Sequence, residues 1–269
     1  MKLEDIGFYT LSDTRAKQVS ATSPLWRCEL ILTDRCNFAC PYCRGVKPIH
    51  RGDLPTLAAE RIIDLWSSEG LKNIRFSGGE PTLHGGLPSL VMRAKRSGVE
   101  RIAISTNGSA SIELYMGLME CGVNDFSISL DACCSEKGDL MNGHKGRWHR
   151  VIKNIEALAR LTYVTVGVVY TDETISDLPE IIKFASGLGV ADIRIISAAQ
   201  YNQNPHLANI KTDYPILKYR LGNIACGLPV RGIAESDSHK CWLVLDDMAV
   251  IQDQHYPCII YLREQGDPI

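Results

Sequence analysis

From residue 26 onward, apolar and polar positions fall into two alternating rhythms. Short runs at 26–33, 71–77, 101–105, 125–130, 163–170 and 191–196 predict strands, several of them rich in β-branched residues. Between them, apolar residues at helical spacing predict helices at 57–67, 87–97, 112–121, 149–161 and 177–186. Ala58, Ile62, Leu65 and Trp66 share the predicted buried face of the first helix, and Ile152, Ile155, Leu158 and Ala159 that of the fourth. Asp177 is the predicted N-cap of the fifth. Six strands alternating with helices imply right-handed βαβ units and a parallel sheet. Six units fall short of the eight that close a full barrel, so the predicted fold is α/β, a partial (β/α)6 parallel barrel. A flat doubly wound sheet would give the same pattern.

The rhythm stops after about Ala199. Residues 200–212 are polar and read as a linker or lid, and 213–232 are partly helical. Residues 241–251 and 255–262 read as the two strands of a small C-terminal β-hairpin extension. The expected organisation is a lead-in at 1–24, a barrel at 25–200, and a lid with a cysteine-containing extension at 201–269.

Composition narrows the chemistry. Apolar residues make up 45% of 269, enough for one core. A net charge of −2 gives no bulk signal for nucleic acid. No run approaches the roughly 18 apolar residues of a membrane span, and Glu4 and Asp5 stand where a secretory signal would be basic. A cytoplasmic protein with neither a membrane nor a nucleic-acid partner is expected. Ten cysteines in a reducing compartment suggest metal or cluster ligation, not disulfides.

Cys36, Cys40 and Cys43 stand at C-x3-C-x2-C spacing on the loop after the first predicted strand. Ala39 and Pro41 between them suit a tight loop that wraps three thiolates about one face of a metal centre. Three ligands leave one coordination position open. On spacing alone, zinc with a borrowed fourth ligand is the alternative. Context favours an iron–sulfur cluster, because Gly78-Gly79-Glu80 follows one βα unit later. Ser105 and Asn107, then Ser129 and Asp131, stand at the ends of the next two strands. That edge is where ligands bind in either architecture. Each residue also has a plainer role: turns at Gly78-Gly79 and Asn107-Gly108, caps at Ser129 and Asp131, loop anchors at Phe38 and Tyr42.

Four segments, 33–43, 76–83, 105–108 and 127–131, together resemble the radical S-adenosylmethionine (SAM) superfamily. The likeness runs from about Trp26 to Ala199 and is greatest to the branch of the molybdenum-cofactor cyclase and the peptide-modifying maturases. It implies that Cys36, Cys40 and Cys43 hold a 4Fe–4S cluster whose open iron is chelated by SAM. Reductive cleavage of SAM then gives a 5′-deoxyadenosyl radical, which takes a hydrogen atom from the substrate. Gly78, Gly79 and Glu80 would face the methionyl ammonium, Ser105, Asn107 and Ser129 the cofactor's polar groups, and Tyr42 and Ala199 would lie beside it. Flavodoxin or ferredoxin would donate the electron.

In the cyclase branch an arginine at the position of Arg75 faces the substrate; the plainer reading is an interior salt bridge to an acid such as Glu29. Arg194 and Lys211 read as surface charges. Cys28 and Cys121 read as core filler. Cys133-Cys134 lies near the active edge, as a hydrogen donor or ligand or as neither. Cys226, Cys241 and Cys258 resemble a short form of the relatives' C-terminal extension and would hold a second 4Fe–4S cluster, completed by His239 or His255; the alternative is a packed hairpin with buried thiols. The usual hairpin glycine is absent, and Asp237 stands where the cyclase has a cysteine. The expected substrate is a peptide or protein side chain. The alternatives are the same chemistry on a small nucleotide- or sugar-derived metabolite, and a non-catalytic iron–sulfur or zinc protein.

Overall fold

The computed structural model describes residues 3, 20, 22–43, 52–198, 207, 210–230 and 247–263. Ala199, His239, Cys241, most of the expected lid and nearly all of the lead-in lie outside the described residues.

Six strands, β1 (Arg27–Thr33), β2 (Asn73–Gly78), β3 (Arg101–Thr106), β4 (Asp125–Ser129), β5 (Tyr163–Tyr170) and β6 (Asp192–Ser197), pair in sequence order. Every one of these pairings is parallel. Helices α1 (Thr56–Ser68), α2 (Leu87–Arg96) and α3 (Ile112–Cys121) connect the first four strands. Two helices, α4 (Ser135–Asn142) and α5 (Trp148–Ala159), lie between β4 and β5, and α6 (Leu178–Gly187) between β5 and β6. Among the described residues the sheet does not close, so the fold is the expected partial barrel.

Period-two alternation sorts the strands into two faces. Cys28, Ile74 and Ile102 lie side by side, as do Leu30, Phe76, Ile104 and Phe126, and with Ile128 they join the hydrophobic core with the helices. Each such large side chain is worth roughly 1.5–3 kcal/mol by burial. The other face is polar: Glu29, Arg75 and Asp125 near the strand starts, then Ser77, Ser105, Ser127 and Ser129 nearer the ends. A barrel interior with this lining suits binding more than packing.

The C-terminal segment does more than append a hairpin. Strand β7 (Asp247–Ile251) pairs parallel to β1 on its free edge, and β8 (Gln254–Tyr256) adds antiparallel to β7. The strand expected at 255–262 is cut short, and 259–263 form the helix α8 (Ile259–Arg263). In place of a turn glycine, Gln252 adopts φ 57°, a left-handed backbone uncommon for a side-chain-bearing residue. Its side-chain Nε2 donates to the Asp53 carbonyl at 3.1 Å.

Three further expectations shift. Helix α1 buries Ala59, Ile63 and Trp66, a stripe one residue round from the one expected, and leaves Leu65 55% exposed. Apolar residues at 58, 59, 62, 63, 65 and 66 make two stripes nearly equivalent by periodicity, and packing chooses between them. Helix α5 likewise buries Val151 and Asn154 beside Ile155 and Leu158. Asp177 stands at the N-cap position of α6 but makes no cap bond; its carboxylate accepts from Lys137 Nζ at 2.7 Å.

Candidate active site

At the C-terminal ends of the strands opens a cavity of about 230 Å³. Cys36, Cys40 and Cys43 share its wall with Tyr42, Gly78, Gly79, Ser105, Asn107 and Ser129. Residues far apart in sequence thus meet because a parallel sheet brings all its strand ends to one edge.

The cysteine loop is anchored at both flanks. Thr33 Oγ1 donates to Asp53 Oδ1 at 2.6 Å, and Arg35 grips the same carboxylate through Nε at 3.0 Å and Nη2 at 2.6 Å. Midway, the Ala39 N–H donates to the Asn142 carbonyl at the end of α4 (2.9 Å). Gly143 follows at φ 73°, and a Cβ there would sit 2.6 Å from the Ala39 carbonyl. Burial pushes the Cys36 thiol up and the Cys40 thiol to about 11. Thiols in that state need a cation to be held as thiolates.

Gly78 and Gly79 are required by the backbone. Their N-terminal neighbour strand passes so close that a Cβ on Gly78 would lie 2.3 Å from the Thr33 carbonyl, and one on Gly79 2.3 Å from that of Arg35. The approach is sealed by Gly79 N–H to Thr33 O and Glu80 N–H to Arg35 O, both 2.8 Å. Glu80 departs from its expected place. It is fully buried and absent from the cavity wall. Its Oε1 accepts from Thr82 N–H (3.1 Å), Thr82 Oγ1 (2.7 Å) and Thr106 Oγ1 (2.8 Å), and its Oε2 from the Asn107 N–H (2.7 Å). Glu80 therefore ties the β2 end to the β3 end.

Across the cavity, the Tyr42 hydroxyl donates to Asp131 Oδ2, and the Val169 N–H donates to Asp131 Oδ1 at 2.6 Å. Burial pushes this carboxyl up to about 6. Met141, Trp148 and Val151 supply the apolar wall.

The arginines sort differently from expectation. Arg75 lies outside the cavity wall, two residues or roughly 7 Å below Ser77. Its partners are Ser105 Oγ at 3.0 Å and Asp125 at 3.7 Å. Glu29, the acid expected for it, pairs with Arg27 at 2.8 Å. Arg194, expected on the surface, lines the cavity. Its Nη2 donates to Ser127 Oγ at 3.0 Å, and its buried Nε has no hydrogen-bond partner among the described residues. Burial, with Arg75 and Arg220 nearby, lowers its pKa to about 9. The signal was present in β6, where Ile193 and Ile195 take the core face and leave Arg194 and Ile196 to the cavity. Arg263, on α8, also reaches the wall.

The remaining thiols among the described residues stay outside. Cys28 is buried in β1, and Cys121 packs against the core. Cys133 is half-buried and Cys134 exposed, and neither lines the cavity. Cys226 caps α7 (Pro215–Ala225), exposed, and Cys258 follows β8; neither lines the cavity.

Comparison with known proteins matches residues 30–185 to the family model described as "Radical SAM superfamily". A GTP 3′,8-cyclase of Rhizobium leguminosarum is 31% identical over 173 residues, covering 61% of this chain and 49% of its own. The mitochondrial GTP 3′,8-cyclase of Arabidopsis thaliana is 32% identical over 142 residues, 51% of this chain and 36% of its own. This chain thus spans half or less of these curated relatives. Among solved structures, Streptococcus suis SuiB bound to S-adenosylmethionine superposes with TM-score 0.67 at 16% identity, over 92% of this chain and 63% of that one. The enzyme anSMEcpe with bound AdoMet gives 0.63 at 17%, over 89% and 75%. At such identities the two structures establish the fold alone.

Proposed function

We propose, since the chain belongs to the radical SAM superfamily, that this enzyme acts on a small anionic metabolite derived from a nucleotide or a sugar. One observation carries the reading: Arg194 presents a guanidinium to the cavity with a buried Nε that lacks an acceptor among the described residues. A buried cation with a spare donor favours an anionic ligand. The relatives named for GTP are 31–32% identical, whereas SuiB with its precursor peptide shares the fold at 16%. The weight therefore moves from the peptide substrate expected first to the metabolite.

Enzymes of the superfamily use a 4Fe–4S cluster and SAM, and the residues here suit both. Cys36, Cys40 and Cys43 would hold the cluster. Each thiolate of such a cluster binds a different iron, so they need not converge on one point; no three His, Cys, Asp or Glu side chains do so among the described residues. Gly78, Gly79, Ser105, Asn107, Ser129 and the Tyr42 backbone line the space beside them, where SAM would lie. Bound together, the two groups supply abstraction of a hydrogen atom from an unactivated carbon. The chain binds and orients: Gly79 lets two loops meet, Tyr42 and Asp131 tie the cysteine loop to β4, Trp148 and Met141 exclude water, and Arg194 fixes the anionic end. Ala199 would neighbour the cofactor, and flavodoxin or ferredoxin would donate the electron. A second 4Fe–4S cluster on Cys226, Cys241 and Cys258 is part of the proposal.

The test is binding of GTP and of sugar phosphates to the anaerobically reconstituted protein, beside peptides. An anionic metabolite should bind and stimulate 5′-deoxyadenosine formation, and Arg194→Met should weaken that binding about tenfold or more. Binding of peptides alone, with Arg194→Met silent, would overturn the proposal.

A further inference from the structure

We propose that Asn107 is a positioning residue that donates a hydrogen bond to Cys36 and so raises the reduction potential of the cluster held there. The proposal rests on the reading that Cys36 is a cluster ligand. Asn107 Nδ2 lies 3.8 Å from Cys36 Sγ. The same amide is held from other sides. Its Nδ2 also donates to Asn37 Oδ1 at 2.8 Å, and its Oδ1 accepts from the Ser109 N–H at 3.0 Å. Asn37 Nδ2 in turn donates to Ser109 Oγ at 2.9 Å. Flipping the Asn107 amide would set its oxygen against the Asn37 oxygen and leave the Ser109 N–H without its acceptor. The network therefore determines that a nitrogen faces the sulfur.

Glu80 supplies the anchor. It accepts the Asn107 backbone N–H at 2.7 Å and is itself held by Thr82 and Thr106. Thr106 Oγ1 also lies 2.9 Å from the Tyr115 hydroxyl, which is fully buried. A hydrogen-bonded chain thus runs from buried Tyr115 through the buried Thr106 and Glu80 to the half-buried Asn107 and the exposed Cys36. This gives Glu80 a task that its burial away from the cavity otherwise leaves unexplained. Cys36 Sγ also accepts from the Phe38 N–H at 3.4 Å. Hydrogen bonds to cluster sulfurs offset the extra negative charge of the reduced state and move its potential upward.

Asn107→Leu removes the donor on a side chain of the same branching, and Asn107→Asp removes it while keeping the acceptor for Ser109. Both are loaded with iron under anaerobic conditions, and the midpoint potential is followed by EPR. The expected result is native iron content with a midpoint shifted negative in both; the neutral Leu variant separates the lost donor from added charge. A Leu variant with full iron and a native midpoint overturns the proposal. A measurement on the unaltered protein covers variants that fail to load. With ¹⁵N-asparagine labelling, pulsed ENDOR of the reduced cluster should show an exchangeable proton and an asparagine nitrogen coupled to it, and their absence overturns the proposal. Cys36→Ala should lose the cluster iron; full iron there would instead bring down the ligand reading beneath it.

Discussion

Gly79→Ala puts the close approach of β2 to the cysteine loop to the test. The added Cβ would stand 2.3 Å from the Arg35 carbonyl oxygen, and 2.7 Å from both the Arg35 carbonyl carbon and the Asp34 oxygen. All three are backbone atoms, so no side chain can swing aside. Relief requires the loop to part from the strand, at the expense of the Glu80 N–H to Arg35 O bond of 2.8 Å. Overpacking typically costs about 1–3 kcal/mol and a hydrogen bond about 1 kcal/mol, so a loss of about 3 kcal/mol is expected. For a chain of this size that is roughly 6–12 °C in Tm. Gly187→Ala is the control, because nothing lies within 4 Å of its added Cβ. Differential scanning fluorimetry of the cluster-free proteins, with iron analysis after reconstitution, reads both effects. Gly79→Ala should melt early and load less iron, while Gly187→Ala should match the native protein. A Gly79→Ala protein that melts within about 1 °C of native and loads fully would refute the steric argument.

Asp131 makes a pH prediction. Its folded carboxyl titrates at about 6, against about 3.9 unfolded. The folded state therefore binds more protons between those values, and stability falls as pH rises from about 4 to about 6, by on the order of 3 kcal/mol. Denaturant melts of the cluster-free protein should show that decline, and Asp131→Asn should flatten it. Iron analysis addresses the C-terminal thiols: about eight irons per chain are expected, falling to about four in Cys226→Ala/Cys258→Ala, whereas four in the native protein removes the second cluster.

Much of the site could be read before folding, because its chemistry lies at strand ends and strand ends follow from β-branched runs broken by glycine or polar residues. The positions of Cys36, Gly78, Ser105 and Ser129 follow from that alone. What the sequence left obscure depends on which way a side chain points once the strands pair. Arg75 and Arg194 both interrupt apolar runs and look alike in one dimension; the register puts Arg75 below the cavity floor against Asp125 and Arg194 in the wall. The resemblance sets Glu80 against the cofactor's ammonium, yet Thr82, just past β2, and Thr106 and Asn107, at the end of β3, donate to it and turn it inward. Helix α4 is not legible in the sequence, because Ser135–Asn142 has only Leu140 and Met141 as large apolar residues and no clear stripe. Its value lies in its end, where Asn142 and Gly143 brace the cysteine loop. The helical α8 was likewise hidden in a run, Ile259–Arg263, whose apolar residues suit a strand equally well.

The most direct measurement is of 5′-deoxyadenosine released from SAM by the anaerobically reconstituted, dithionite-reduced protein. The account predicts 5′-deoxyadenosine with methionine from the native chain, and none from Cys36→Ala, Cys40→Ala or Cys43→Ala. A native protein carrying a full complement of cluster iron that forms no 5′-deoxyadenosine would contradict it.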